Sequence, residues 1–129
     1  DGTTTNRTRP VSVSNATGAN AQQNVRKISA GTWHTCAQLS SGQGRCWGAN
    51  TFGALGDGTT TRRTRPVPVS NADGTGALTA ISGISAGEFR HSCALVEGDQ
   101  VRCWGYNLNG QLGDGTTANR TRPVVVAPV

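Results

Sequence analysis

The chain gives one passage twice and then begins it a third time. Asp57-Gly58-Thr59-Thr60, followed by Arg63-Thr64-Arg65-Pro66-Val67, has counterparts from Asp1 to Val11 and from Asp114 to Val124, at offsets of 56 and 57 residues. Between Cys36–Val67 and Cys93–Val124, twenty of thirty-two positions are identical. A period of this length predicts a repeat architecture, in which each unit buries its faces against a neighbour instead of in a core of its own. The units are read as residues 1–56, 57–113 and the start of a third at 114–129.

Short β-prone runs lie between clusters of Gly, Asn, Asp, Ser and Pro, and no stretch keeps a helical period. In the first unit the expected strands are 10–14, 25–30, 35–39 and 44–47; in the second they are 66–70, 81–86, 92–96 and 100–104. A further run at 123–126 is expected to stand without companions. Four short strands per unit is what a propeller blade requires. The expected fold class is therefore all-β: about two four-stranded blades of a β-propeller-type repeat plus one extra edge strand, completed by further copies or a longer chain. Pro10, Pro66 and Pro123 lack the donor that a central ladder needs, so their strands are expected at a blade edge. Gly accounts for 18 of 129 residues, which fits many tight turns in a chain with only two Phe, one Tyr and three Trp to fill an interior.

Four cysteines form two pairs of equal separation, Cys36 with Cys46 and Cys93 with Cys103. Across an antiparallel hairpin this spacing sets Leu39 opposite Gln43 around Ser40-Ser41-Gly42, and Val96 opposite Gln100 around Glu97-Gly98-Asp99. Gly42 suits the left-handed position of a three-residue loop. Opposed residues at a non-hydrogen-bonded pair come close enough for a disulfide. Both bridges are therefore expected, each stapling a hairpin within its own blade. Disulfides point to an oxidising setting, secreted or at the cell surface. No apolar run is long enough for a membrane-spanning helix. Without an initiator Met or a signal peptide, the chain is expected to be a processed product or a piece of something longer.

Twelve Lys and Arg stand against seven acids, and eleven of the twelve are Arg. Such a balance suits acidic partners. The Arg residues recur inside the repeat, however, as Arg7 and Arg9, Arg63 and Arg65, Arg120 and Arg122. Their regularity favours a structural duty, with Asp1, Asp57 and Asp114 as partners for a planar guanidinium. Binding of nucleic acid through this stripe is not expected in a disulfide-bonded chain.

Ala30-Gly31 with His34-Thr35-Cys36-Ala37, then Cys46-Trp47-Gly48-Ala49-Asn50 and Gly53-Ala54-Leu55-Gly56-Asp57, make up the first unit's signature. The second has Ala86-Gly87 with His91-Ser92-Cys93-Ala94-Leu95, Cys103-Trp104-Gly105-Tyr106-Asn107 and Gly110-Gln111-Leu112-Gly113-Asp114. These stretches resemble the repeats of the regulator of chromosome condensation family, β-propellers whose complete members carry about seven blades. Paired Cys with Thr-rich and Arg-rich edges is closer to its secreted bacterial branch. The resemblance implies a rigid disc that binds macromolecules through loops on two faces. Similar propellers include a nuclear exchange factor, a plant light receptor and a secreted bacterial inhibitor of β-lactamases. Two units cannot close such a disc.

Three Pro-Val edge segments serve only two sets of the other strands, and an unpaired strand invites another chain. The first functional expectation is thus a non-enzymatic extracellular scaffold, self-associating through blade-to-blade or strand-complementing contacts as a ring or fibre, or continuing into a longer repeat protein. The alternative is a binding module for a protein, in the manner of an inhibitor, or for a glycan. Its site would lie on the loops carrying Trp33, His34, Phe52, Phe89, Arg90 and His91. Trp47 and Trp104 recur in register and are expected between blades. His34 with Cys36, and His91 with Cys93, have a metal-ligand spacing, but each Cys has a sulfur partner, so no metal and no cofactor is expected. Asp-Gly-Thr-Thr offers one carboxylate per unit and reads as a turn instead of a calcium loop. No phosphate loop, catalytic carboxylate pair or nucleophile elbow is present. Asn6, Asn15 and Asn119 begin glycosylation triplets on segments expected at the surface.

Overall fold

A computed structural model describes residues 1–128. Eight strands form two antiparallel sheets. The first holds β1 (Val25–Ala30), β2 (His34–Leu39), β3 (Gly44–Gly48) and β4 (Arg63–Pro68) in that spatial order. The second repeats it with β5 (Ile81–Ala86), β6 (His91–Val96), β7 (Gln100–Gly105) and β8 (Arg120–Val125). One 3-10 turn, Glu97–Asp99, is the sole helical element among the described residues.

The hairpins have the expected register. Cys36 faces Cys46 and Cys93 faces Cys103, each pair bonded with Cα atoms 4.1 Å apart. That spacing belongs to the close, non-hydrogen-bonded kind of cross-strand pair. Gly42 closes the first loop with φ of 79°, and its N–H donates to Leu39 O at 3.0 Å. In the second loop Gly98 and Asp99 both take positive φ, 76° and 57°. Asp tolerates the left-handed region better than most residues with a Cβ.

β4 and β8 are outer strands, as their prolines require. The grouping differs from the expectation in phase. Each Pro-Val segment closes the sheet that precedes it, so β4, from beyond residue 56, completes the first blade, and the run at 123–126 pairs with β7 through Arg102–Val125 and Cys103–Val124. The copy left without a sheet is the first. Residues 10–14 form no strand; Ser14 makes only an isolated bridge to Ala21. A ladder needs a partner, and the β1–β3 set that would precede this segment is absent from the chain. Pro66 and Pro123 are accordingly buried, while Pro10 is exposed.

The core lies between the blades. Cys36, Cys46 and Leu55 from the first side meet Val69, Leu78, Ile81, Ala94, Val96 and Trp104. Gly44 makes room for this packing: a methyl group there would come within 3.0 Å of Ile81 Cδ1 and 3.1 Å of Val69 Cγ2. Its counterpart in the second blade is Val101, which is exposed.

Candidate interaction surfaces

The seam mixes residues that recur in the repeat (His34, Ser29, Trp104) with others that do not (Gln38, Ala54, Ser92). His34 Nε2 lies 2.8 Å from Ser92 Oγ, and Ser92 Oγ donates to Ala54 O at 2.9 Å. Trp104 Nε1 donates to the same carbonyl at 2.8 Å. Gln38 Nε2 donates to Ile81 O at 2.7 Å, and Ala86 N donates to Ser29 Oγ at 3.0 Å. Each bond joins one blade, or its crossing loop, to the next. His34 is thus a seam residue, held against Gly31. Burial, with a smaller push from His91, holds its pKa down to about 4.

A histidine depressed in the fold binds its proton more readily when unfolded. Its stabilising share is complete above about pH 6.5 and is lost as pH falls toward about 4. The wild-type chain is expected to lose roughly 3 kcal/mol across that window. His34→Gln should flatten the slope in thermal melts recorded against pH, leaving the separate acid loss from the aspartates.

Those aspartates anchor the Asp-Gly-Thr-Thr turns. Asp57 Oδ1 accepts from Thr59 N at 3.0 Å and Thr59 Oγ1 at 2.7 Å, while Oδ2 accepts from Arg63 Nε at 2.9 Å. Asp1 with Arg7 and Asp114 with Arg120 repeat the ion pair at 2.8 and 2.7 Å. Burial alone would raise these carboxyls, but the Thr and Arg donors outweigh it, holding Asp57 below the usual range and Asp114 down to about 2. Asn50, wholly buried, ties the turn to the crossing loop: Nδ2 donates to Asp57 Oδ1, Thr59 O and Thr61 O, and Oδ1 accepts from Leu55 N. Asn107 does the same in the second unit. No group of three or more His, Cys, Asp or Glu that could hold a metal occurs among the described residues.

The chain's two ends present unfilled halves of the seam. Ile28 is 64% exposed where its counterpart Ile84 packs in the core, and Trp47 is half-buried where Trp104 is fully buried. With Val13, Gln22 and Val25 they line a cleft of about 290 Å³. At the other end Leu95 and Val101, paired across β6 and β7, are exposed.

The loop face carries a second surface. Trp33 and Phe89, 60% and 71% exposed, stand at matching turns of successive blades. They line a groove of about 670 Å³ with Phe52, Arg90, Tyr106 and Asn109. Phe52 meets Tyr106 edge-on, ring centroids 5.0 Å apart, and the Arg90 guanidinium lies 5.4 Å from the centre of the Phe52 ring. Of the loop residues singled out in the sequence, the groove thus brings together Trp33, Phe52, Phe89 and Arg90. His34 and His91 lie outside it. Tyr106 and Asn109 were not singled out, because Tyr106 replaces Ala49 and breaks the repeat at that point.

Asn6 and Asn119 are exposed and Asn15 is half-buried. Asn119 already has a task, since its Oδ1 accepts from Asn107 N at 2.7 Å.

Two four-stranded antiparallel sheets, seamed through Trp-Gly strands and Gly-rich crossings, are blades of a propeller-type repeat protein. Models of the regulator of chromosome condensation (RCC1) repeat match residues 25–54, 81–111 and 46–95. The chain belongs to the RCC1-repeat family. It is 34% identical over 102 residues to the ultraviolet-B receptor UVR8 of Arabidopsis thaliana, covering 79% of this chain and 22% of the receptor. It is 32% identical over 118 residues to the E3 ubiquitin-protein ligase HERC2 of Homo sapiens, covering 92% of this chain and 2% of the ligase. Prp20p of Saccharomyces cerevisiae superposes with a TM-score of 0.69 at 18% identity, over 81% of this chain and 26% of that one. Human WBSCR16 gives 0.68 at 25% identity with the same coverage. The chain spans about a quarter or less of each of these relatives. No helix is long and apolar enough to cross a membrane.

Proposed function

We propose that the chain is a non-enzymatic interaction module that joins head to tail with further blades of its own kind, a second copy being the first partner. The observation that carries this is the seam: His34, Ser29 and Trp104, which lock blade to blade inside the chain, have counterparts in His91, Ser85 and Trp47 on its outward faces. Ile28, Val25 and Trp47 leave apolar surface open on one side, and Leu95 and Val101 do so on the other. Exposed apolar surface of this extent marks an interface. A heterologous contact either closes as a ring or propagates as a fibre. The two disulfides support an extracellular or cell-surface setting.

Solution mass across protein concentration tests this. Species larger than the monomer are expected, and Ile28→Arg should return them to monomer with the melting temperature little changed. A wild-type chain that stays monomeric ends the reading.

The loop-face groove supports a second reading, a binding module for a protein, inhibitor-like, or for a glycan. Trp, Tyr and Arg are the side chains that dominate binding energy at interfaces, and all three meet there. Among relatives, yeast RCC1 (Prp20) has been captured bound to Kap60. Under this reading Trp33→Ala and Phe89→Ala remove ligand uptake and leave the mass unchanged.

A further inference from the structure

The three Asp-Gly-Thr-Thr turns share a conformation and differ in what rests on the glycine. Gly2, Gly58 and Gly115 have φ of 79°, 80° and 76°. On Gly58 lies the guanidinium of Arg122, so near that a methyl group there would come within 2.8 Å of Nη2. The same guanidinium lies equally near Gly74, so it is held between two turns of the preceding repeat. Arg65 is held in the same way between Gly2 and Gly18. A backbone bond accompanies each contact, Gly58 N to Thr121 O at 2.9 Å and Gly2 N to Thr64 O at 3.2 Å. At Gly115 a methyl group would meet nothing within 4 Å. The turn itself is intact: Asp114 Oδ1 accepts from Thr116 N at 3.0 Å and Thr116 Oγ1 at 2.7 Å.

We infer that the Asp114-Gly115-Thr116 turn is a preformed seat for a guanidinium and that Arg65 of a second copy fills it. The inference rests on the head-to-tail reading above. In both filled cases the arginine comes from the outer strand of the blade that follows the turn: Arg65 from β4, Arg122 from β8. The blade that follows Gly115 in a head-to-tail pair is the first blade of the next copy, and its matching residue is Arg65.

Arg65 is already held by its own Gly2, which makes the contact an exchange. Residues 1–11 and 114–124 are identical at ten of eleven positions. In the exchange Arg65 keeps Gly18 and trades Gly2 for Gly115, so like replaces like. The N-terminal segment gives up little, since it has no ladder and Pro10 is exposed. The pair gains cover for Val25, Ile28 and Trp47, and that apolar burial drives the trade. Residues 1–14 thus occupy, on their own first blade, the place of a neighbour's closing segment.

Gly115→Asn tests the seat in the full chain. Asn accepts left-handed backbone, and the space around Gly115 is open, so the fold should stand with an unchanged melting temperature in dilute solution. The added side chain blocks the guanidinium, and the association midpoint should move at least about tenfold higher in concentration. Gly2→Asn expels Arg65 from its own turn and should move the midpoint lower. Equal association of wild type and Gly115→Asn overturns the inference. A monomeric wild type overturns the head-to-tail reading and with it the named occupant. The seat is then judged by a synthetic peptide of residues 61–70, titrated against the labelled chain. A saturable shift of the Gly115 amide resonance, lost when the peptide carries Arg65→Lys, supports the seat, and no shift overturns it.

Discussion

Trp104→Ala is expected to lower the unfolding free energy by about 3–5 kcal/mol, whereas Trp47→Ala, at the same place in the repeat, should cost less than about 2 kcal/mol. The two residues sit in identical Cys-Trp-Gly steps. Their surroundings differ. Trp104 is wholly buried in the seam and donates to Ala54 O, so truncation opens a cavity and leaves a carbonyl with one donor fewer. Trp47 faces the open cleft beside Ile28, where solvent already reaches it. Urea unfolding of both variants at a protein concentration below any association measures the difference. Equal losses would mean that the seam is not where the core lies.

Asn50→Asp should be as damaging, about 3–5 kcal/mol, although it changes one atom of the side chain. Asn50 Nδ2 serves two carbonyls and the Asp57 carboxylate at 3.0–3.2 Å. The oxygen that replaces Nδ2 would face acceptors only, with the Asp57 charge among them, and burial denies it water. The crossing loop and β4 should lose order together, visible as faster amide exchange at Leu55 and Thr59, while the disulfide-closed hairpin of β2 and β3 keeps its protection. Exchange that rises evenly over the whole first blade would contradict this.

The hairpins were legible because two constraints agree on one register: the equal Cys spacing and a loop ending in residues that accept positive φ. The Asp–Arg pairs were legible for a like reason, since both partners recur at a fixed separation of six residues. The phase of the blades was not. Arg-Thr-Arg-Pro-Val can as well open a sheet as close one, and what decides is whether a β3-type strand precedes it. For Arg63–Pro68 and Arg120–Val125 one does, and for the first copy none does. His34 was grouped with the loop residues because it adjoins Trp33; strand alternation turns it inward to Ser92 and leaves Trp33 outside. Of the groove's lining, Tyr106 and Asn109 were not flagged: they lie in the second unit's crossing after Cys-Trp-Gly, where Ala49 and Phe52 of the first unit are replaced.

Gly44 and Val101 occupy one position of the repeat with opposite consequences. The first is a notch that admits the isoleucines of the blade behind it, and the second fills that notch. Under the proposed head-to-tail reading, a joint beyond the second blade has another shape from the joint within the chain, and Val25, a methylene smaller than Ile81, is the better fit to it. Under that reading side-chain volume addresses the order of blades: a second blade following another second blade would set Val101 against Ile81, a knob against a knob, even though every strand, turn and bridge had its counterpart.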